Sequence, residues 1–238
     1  MAYASASNIE WRAYGHLDYG ASHDLDHGIS EWRELKDVLC QYGITRFGTC
    51  VEVGCGAGRL TNALAQDFQT IWALDVSPDR ILQISRVPNA ARIHPILVDK
   101  PVIPVQDNTV DLCTSTHVFQ HISDVTVVNA YLQEMFRVLT PGGCILIHVP
   151  VVGAHALSGR LSQIVRRRAK ELAKDLALPL FRVLMAAGIS GLPRIDKYRV
   201  FEYEEIYRCL KYLGFSPIEM RFLARAGIHS YIFARKPL

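Results

Sequence analysis

Residues 51–60 read VEVGCGAGRL, an apolar run that enters three glycines at alternate positions and then turns toward a helix. A strand that turns on glycines into a helix opens a β–α unit, and the missing side chains let a ligand lie against the backbone. The spacing narrows the ligand. A dinucleotide fingerprint places glycines at relative positions 1, 3 and 6, the last allowing close helix packing under a pyrophosphate. Gly54, Gly56 and Gly58 stand at positions 1, 3 and 5, and the lysine of a phosphate-binding loop is absent. The turn therefore predicts a backbone-hugging ligand without a pyrophosphate, and disfavours a nicotinamide dinucleotide.

The rest of the chain builds a sheet around that turn. Short apolar runs at about 50–53, 70–75 (TIWALD), 94–99 (HPILVD), 110–115 (VDLCTS) and 144–149 (CILIHV) alternate with helical stretches. That is the pattern of a parallel sheet covered on both faces. One helix runs from the glycine turn to about Gln66. Ser77 and Pro78 predict an N-cap and a first-turn proline for the next, and another spans about Val125 to Leu139 and stops at Pro141-Gly142-Gly143. Ser30 is expected to cap an earlier helix whose apolar positions Trp32, Leu35, Val38, Leu39 and Tyr42 recur at helical spacing, with Gly43 ending it.

Toward the end the rhythm changes. A helix over 202–213, ending at Gly214, precedes PIEMRFL and SYIFARK, which are joined by a loop too short for a crossover helix. Those two runs predict an antiparallel hairpin at one side of the sheet. The expected fold class is α/β, a Rossmann-like doubly wound sheet, mostly parallel with a C-terminal antiparallel hairpin strand, plus a helical lid insertion. A length of 238 residues suits an N-terminal lid segment over 1–29 and one domain over 30–238, with the insertion at about 154–200.

Composition excludes other classes. With 50% hydrophobic and 21% charged residues the chain is too apolar to be disordered, and a net charge of +3 does not announce a nucleic-acid binder. Cys40, Cys50, Cys55, Cys113, Cys144 and Cys209 form no close pairs, as expected of reduced thiols in an intracellular protein. The N-terminal stretch lacks a signal-peptide pattern and no run of 18 apolar residues occurs, so the expected location is cytoplasmic. HDLDH at 23–27 sets two histidines four apart, but it precedes Ser30 and runs into Gly28, so a solvated lead-in is expected there and no metal site.

Asp75 ends the second apolar run about 20 residues after the glycine turn, where a carboxylate can accept hydrogen bonds from ribose hydroxyls. Taken in order, EVGCGAG, the Asp75 strand end, LVDK, DNTVDLCTSTHVFQHI and LTPGG resemble the class I S-adenosylmethionine-dependent methyltransferases. The resemblance covers roughly residues 45–150, and the helix and hairpin at 202–235 fit it too. It implies S-adenosylmethionine as cofactor, with Glu52 shaping the loop near its amino-acid end and Gly54, Cys55 and Gly56 giving backbone approach. Asp75 and the adjoining Val76 would hold the ribose, Asp99 and Lys100 would flank the adenine, and Thr116 would help place the methionine part.

The segment after the fourth strand bears on the acceptor. There STHVFQHI replaces the Asn/Asp-Pro-Pro-Tyr type of turn associated with base and glutamine methylation, so DNA is not expected. The segment is similar to small-molecule methyltransferases in which a histidine at the His121 position lies near the methyl group, making His121 the candidate general base. His117 is expected to contribute backbone contacts and His148 to point into the core or at a helix. Tyr14 or Tyr19 is the candidate for a lid over the cofactor. Within the insertion, Leu161, Ile164, Val165, Leu172 and Leu176 form an apolar stripe opposite Arg160, Arg167, Lys170 and Lys174, so a lid or a peripheral membrane contact is expected. Arg194, Lys197 and Arg199 could meet an acidic group on the acceptor. The expected reaction is methyl transfer to a small-molecule or lipid-like acceptor, favouring oxygen (sugar, phenol or similar). Carbon methylation of a quinol and an inactive cofactor-binding partner subunit are the alternatives, and the oligomeric state stays open.

Overall fold

The computed structural model describes residues 25–152, 201–222 and 230–238. Tyr14, Tyr19, the insertion at 154–200 and Arg194, Lys197 and Arg199 lie outside them. The five apolar runs form β1 (Thr49–Val53), β2 (Thr70–Asp75), β3 (Ile93–Leu97), β4 (Val110–Ser115) and β5 (Leu139–His148), and the two C-terminal runs form β6 (Ile218–Phe222) and β7 (Ser230–Arg235). The described helices are α1 (Leu25–Gln41), α2 (Arg59–Leu64), α3 (Pro78–Ile84), α4 (Val125–Val138) and α5 (Tyr203–Leu213).

All seven strands join one sheet in the order β3-β2-β1-β4-β5-β7-β6. β1 to β5 pair in parallel, and β7 runs antiparallel between β5 and β6, as the short hairpin connection requires. Strand order reverses between β1 and β4, so the ligand crevice of such a sheet lies beyond their carboxyl ends. Both faces are buried, and alternation along β1 shows it. Val51 and Val53 pack with Val128, Tyr131, Leu132 and Met135 of α4, while Cys50 packs with Leu35 and Leu39 of α1 and Leu64 of α2.

Two element boundaries differ from expectation. α1 begins at Leu25, not after a cap at Ser30. Gly28, which reads as a helix breaker, lies where α1 crosses the start of α2, and a Cβ there would come within 2.1 Å of the Arg59 carbonyl oxygen. Close approach of the two elements outweighs the ~1 kcal/mol that glycine costs a helix. Leu25, Asp26 and His27 of HDLDH are thus helical, while His23 and Asp24 lie outside the described residues.

The second difference concerns Pro141-Gly142-Gly143, which does not separate α4 from β5. β5 already starts at Leu139, paired with Val110. The Gly142 N–H donates to the Lys236 carbonyl at 2.9 Å and the Lys236 N–H donates to the Gly143 carbonyl at 2.8 Å. Pairing with the chain beyond β7 therefore holds the segment extended, and Gly142 supplies the positive φ of 82° that its irregularity needs.

Candidate functional site

The chain leaves β1 at Val53 and must reverse into α2 within five residues. Gly54, Gly56 and Gly58 have φ of 77°, 55° and 94°, a left-handed conformation that costs glycine nothing. Gly54 carries a second constraint, because a Cβ there would lie 2.1 Å from Val118 Cγ2. The turn is therefore pressed against the segment after β4. Around Gly56, by contrast, no described atom lies within 4 Å of where a Cβ would stand. Its open face is the cradle a flat ligand could fill. The Gly54 and Cys55 N–H groups donate to the Leu74 carbonyl at 2.7 and 3.0 Å, tying the turn to β2. Burial pushes the Cys55 thiol well up, so that side chain stays protonated and only its backbone borders the crevice.

Asp75 is buried, and its carboxylate organises three backbone groups. Oδ2 accepts from Gly56 N–H at 2.8 Å, and Oδ1 accepts from Val76 and Ser77 N–H at 2.7 and 2.9 Å. One side chain thus fixes the glycine turn and the entry to α3, while Oδ2, which accepts only once, keeps lone-pair capacity for a ligand hydroxyl. Ser77 occupies the cap position before Pro78, but its hydroxyl caps nothing; buried, it has no hydrogen-bond partner among the described residues. Val98 N–H donates to the Asp75 carbonyl at 2.9 Å, which sets Asp99 and Lys100, both exposed, just beyond this strand end.

Glu52 lies at the other side of the turn, 1% exposed, and its Oε2 has no partner among the described residues. Burial pushes its carboxyl up to about 7 against the downward pull of Thr61 and Arg59. Thr116, also buried, directly follows β4. The hydroxyl of Ser115 donates to the Val53 carbonyl at 2.9 Å and that of Thr114 to the Leu146 carbonyl at 2.8 Å. These bonds lock β1, β4 and β5 together at the reversal of strand order. Glu52, Gly54, Cys55, Gly56, Asp75, Val76 and Thr116 therefore lie at the carboxyl ends of β1, β2 and β4, with Asp99 and Lys100 just beyond β3.

Three histidines line the neighbouring strand ends. His121 closes a short 3₁₀ turn, Phe119–His121, and its Nε2 lies 3.2 Å from the Gln120 amide nitrogen. His117 is half-buried with φ of 59°, and its ring centroid lies 4.5 Å from that of His148. His148, buried at the end of β5, pairs with Tyr231 across the antiparallel ladder. The Tyr231 hydroxyl donates to Glu31 Oε1 at 2.9 Å, and Glu31 Oε2 is ion-paired with Arg59. Burial pulls the Glu31 carboxyl up, but Arg59, Tyr231 and His117 outweigh it, and the net direction is down. Sequence reading missed Glu31, Arg59 and Tyr231. The lone cation after Gly58 was a signal for Arg59; nothing local could have announced the other two.

Known proteins of similar sequence and fold include methyltransferases. A family described as "Methyltransferase domain" matches residues 51–147. The malonyl-[acyl-carrier protein] O-methyltransferase of Serratia marcescens is 28% identical over 198 residues, covering 82% of this chain and 74% of that protein. Its namesake from Yersinia pestis is 30% identical over 148 residues, but the match spans only 54% of it. Among solved structures, the methyltransferase in complex with the Haloferax volcanii Trm112 activator superposes with a TM-score of 0.61 at 16% identity, over 96% of this chain and 98% of that one. A Haemonchus contortus phosphoethanolamine N-methyltransferase gives 0.56 at 19%, over 87% and 53%. At those identities the structural likeness is one of fold. The methyltransferase domain matched over residues 51–147, with these relatives, supports a class I S-adenosylmethionine-dependent methyltransferase. The chain is an enzyme of that class, with S-adenosylmethionine as its cofactor. No described helix is long and apolar enough to cross a membrane.

Proposed function

We propose that this methyltransferase acts on an oxygen of a small-molecule or lipid-like acceptor, an acyl group bearing a carboxylate being the first class to test. The observation that carries it is the set of imidazoles at the ends of β4 and β5, beside the glycine turn, and the O-methyltransferase relatives support it. The crevice fits the cofactor. Gly56 leaves an open backbone face, and Glu52 Oε2 and Ser77 Oγ are buried acceptors in want of a partner among the described residues. Glu52, Gly54, Cys55, Gly56, Asp75, Val76 and Thr116 would hold it, with Asp99 and Lys100 flanking its base. When bound, S-adenosylmethionine supplies an electrophilic methyl group on a sulfonium sulfur.

This chain's own task is to hold the acceptor oxygen in line and dry, which can contribute roughly 7–11 kcal/mol toward the barrier. A hydroxyl acceptor must also lose its proton, and His121, whose ring lies beside Gln120, is the residue we assign to take it. A carboxylate acceptor arrives without one. Methyl-labelled S-adenosylmethionine offered with malonyl-acyl-carrier protein, long-chain acids, phenols, sugars and quinols should yield labelled ester or ether. Label found only on nitrogen or carbon would overturn the reading. For a hydroxyl acceptor, His121→Ala should cut turnover by roughly 10²–10⁴-fold with cofactor affinity kept. For a carboxylate acceptor the same variant should lose little.

A further inference from the structure

His121 absorbs the proposed base role, yet the more constrained imidazole is His117. A non-glycine residue at φ of 59° is held there only when its surroundings over-determine it, and such strain clusters at functional positions. Here the surroundings are specific. His117 lies just after β4 at the reversal of strand order, directly before Val118, whose side chain covers Gly54. One side of its ring is covered by His148, 4.5 Å away, and the residue remains half-exposed.

Behind that ring stands a chain of polar groups drawn from separate elements. His148 of β5 lies 5.4 Å from Tyr231 of β7, ring to ring. Tyr231 donates to Glu31 of α1, Glu31 is paired with Arg59 of α2, and Arg59 Nη1 lies 3.1 Å from His27 Nδ1. A charge on His117 would add to the pull of Arg59 and Tyr231 that holds the Glu31 carboxyl down. This series of contacts thus leads back from His117 through His148 of β5 and Tyr231 of β7 to Glu31 and His27 of α1 and Arg59 of α2.

The two imidazoles after β4 thus stand in different settings, His121 beside the Gln120 amide and His117 at the head of a series of contacts that runs through His148 and Tyr231 to the Glu31 carboxylate. We propose that His117 presents a positive charge to the acceptor side of the crevice and holds an anionic oxygen group of the acceptor, with Glu31 as its positioning residue. This rests on the oxygen-acceptor reading and sharpens it: the acceptor carries an acid group. Arg59 neutralises much of Glu31, so the charge offered to the acceptor is the imidazolium, not the guanidinium.

The test is a histidine-ring NMR titration of the whole chain saturated with S-adenosylhomocysteine, the His117 signal being the one missing in His117→Gln. Added malonate at tens of millimolar should shift that signal and keep it protonated to higher pH, whereas neutral malonamide should not. In Glu31→Gln its titration midpoint should fall by about one pH unit, the low end of the effect of a nearby opposite charge. Glu31→Asp, which keeps the charge at a shorter reach, should fall between and guards against a fold defect, with S-adenosylhomocysteine affinity as the control. An unmoved His117 midpoint in both variants, or equal response to malonate and malonamide, overturns the proposal even if oxygen methylation is established. A malonate-responsive His117 in an enzyme that labels only nitrogen or carbon keeps the anion site and removes the oxygen reading.

Discussion

The Asp75 carboxylate has a structural job that its place in the sequence does not show. Its position at a strand end is what the ribose expectation rests on, but the three N–H groups it accepts make it the clamp of the glycine turn. Hydrogen bonds to a charged group contribute roughly 1.5–3 kcal/mol each. Asp75→Ala should therefore weaken S-adenosylhomocysteine binding by more than a ribose contact alone explains, at least tenfold by calorimetry, and lower the unfolding midpoint too. Asp75→Asn, which still accepts through one oxygen, should lose less stability than Asp75→Ala. Equal stability in all three proteins would show that the clamp carries no weight. Glycine spacing made this turn legible from sequence because φ above zero is a local demand. Glu31 and Tyr231 stayed hidden because each is an ordinary residue until folding brings them together.

Elements show where local signals compete with packing. α4 and α5 lie where periodicity places them, the first capped by Asp124 accepting from Thr126 N–H at 2.8 Å and the second closed by Gly214 at φ of 100°. α1 departs from expectation because Gly28 is read locally as a breaker, whereas the Arg59 carbonyl occupies the space a side chain would need. In an open helix Gly→Ala would stabilise by about 1 kcal/mol. Here Gly28→Ala should instead destabilise by about 1–3 kcal/mol, the usual cost of overpacking, read as a lower urea midpoint at unchanged slope. A rise in midpoint would mean that α1 and α2 can part without penalty. β5 departs for a related reason: Pro-Gly-Gly reads as a stop, yet backbone bonds to Lys236 keep it in the sheet.

Across the whole molecule, Glu52 ties the site to stability. Its carboxyl is raised from 4.5 to about 7 by burial, so between those values the folded protein holds a proton that the unfolded chain has released. Stability from this group therefore falls as pH rises through that window, the opposite of the contribution from Glu31, whose carboxyl is lowered. Glu52→Gln should leave the urea midpoint of the cofactor-free protein nearly unchanged at pH 5 and raise it at pH 8, the gain in unfolding free energy being at most about 3 kcal/mol. No pH dependence in that difference would place the charge in a more polar setting than its burial indicates. By itself the sequence determined the β–α alternation, the glycine turn and the terminal hairpin, since strand period, left-handed φ and short loops are demands made within a few residues. Only the tertiary structure decided that α1 extends through Gly28, that Pro-Gly-Gly belongs to a strand, and that His117, His148, Tyr231, Glu31 and Arg59 form one cluster. Each of those depends on which distant backbone or charge arrives at a site, and the order of strands in the sheet settles that.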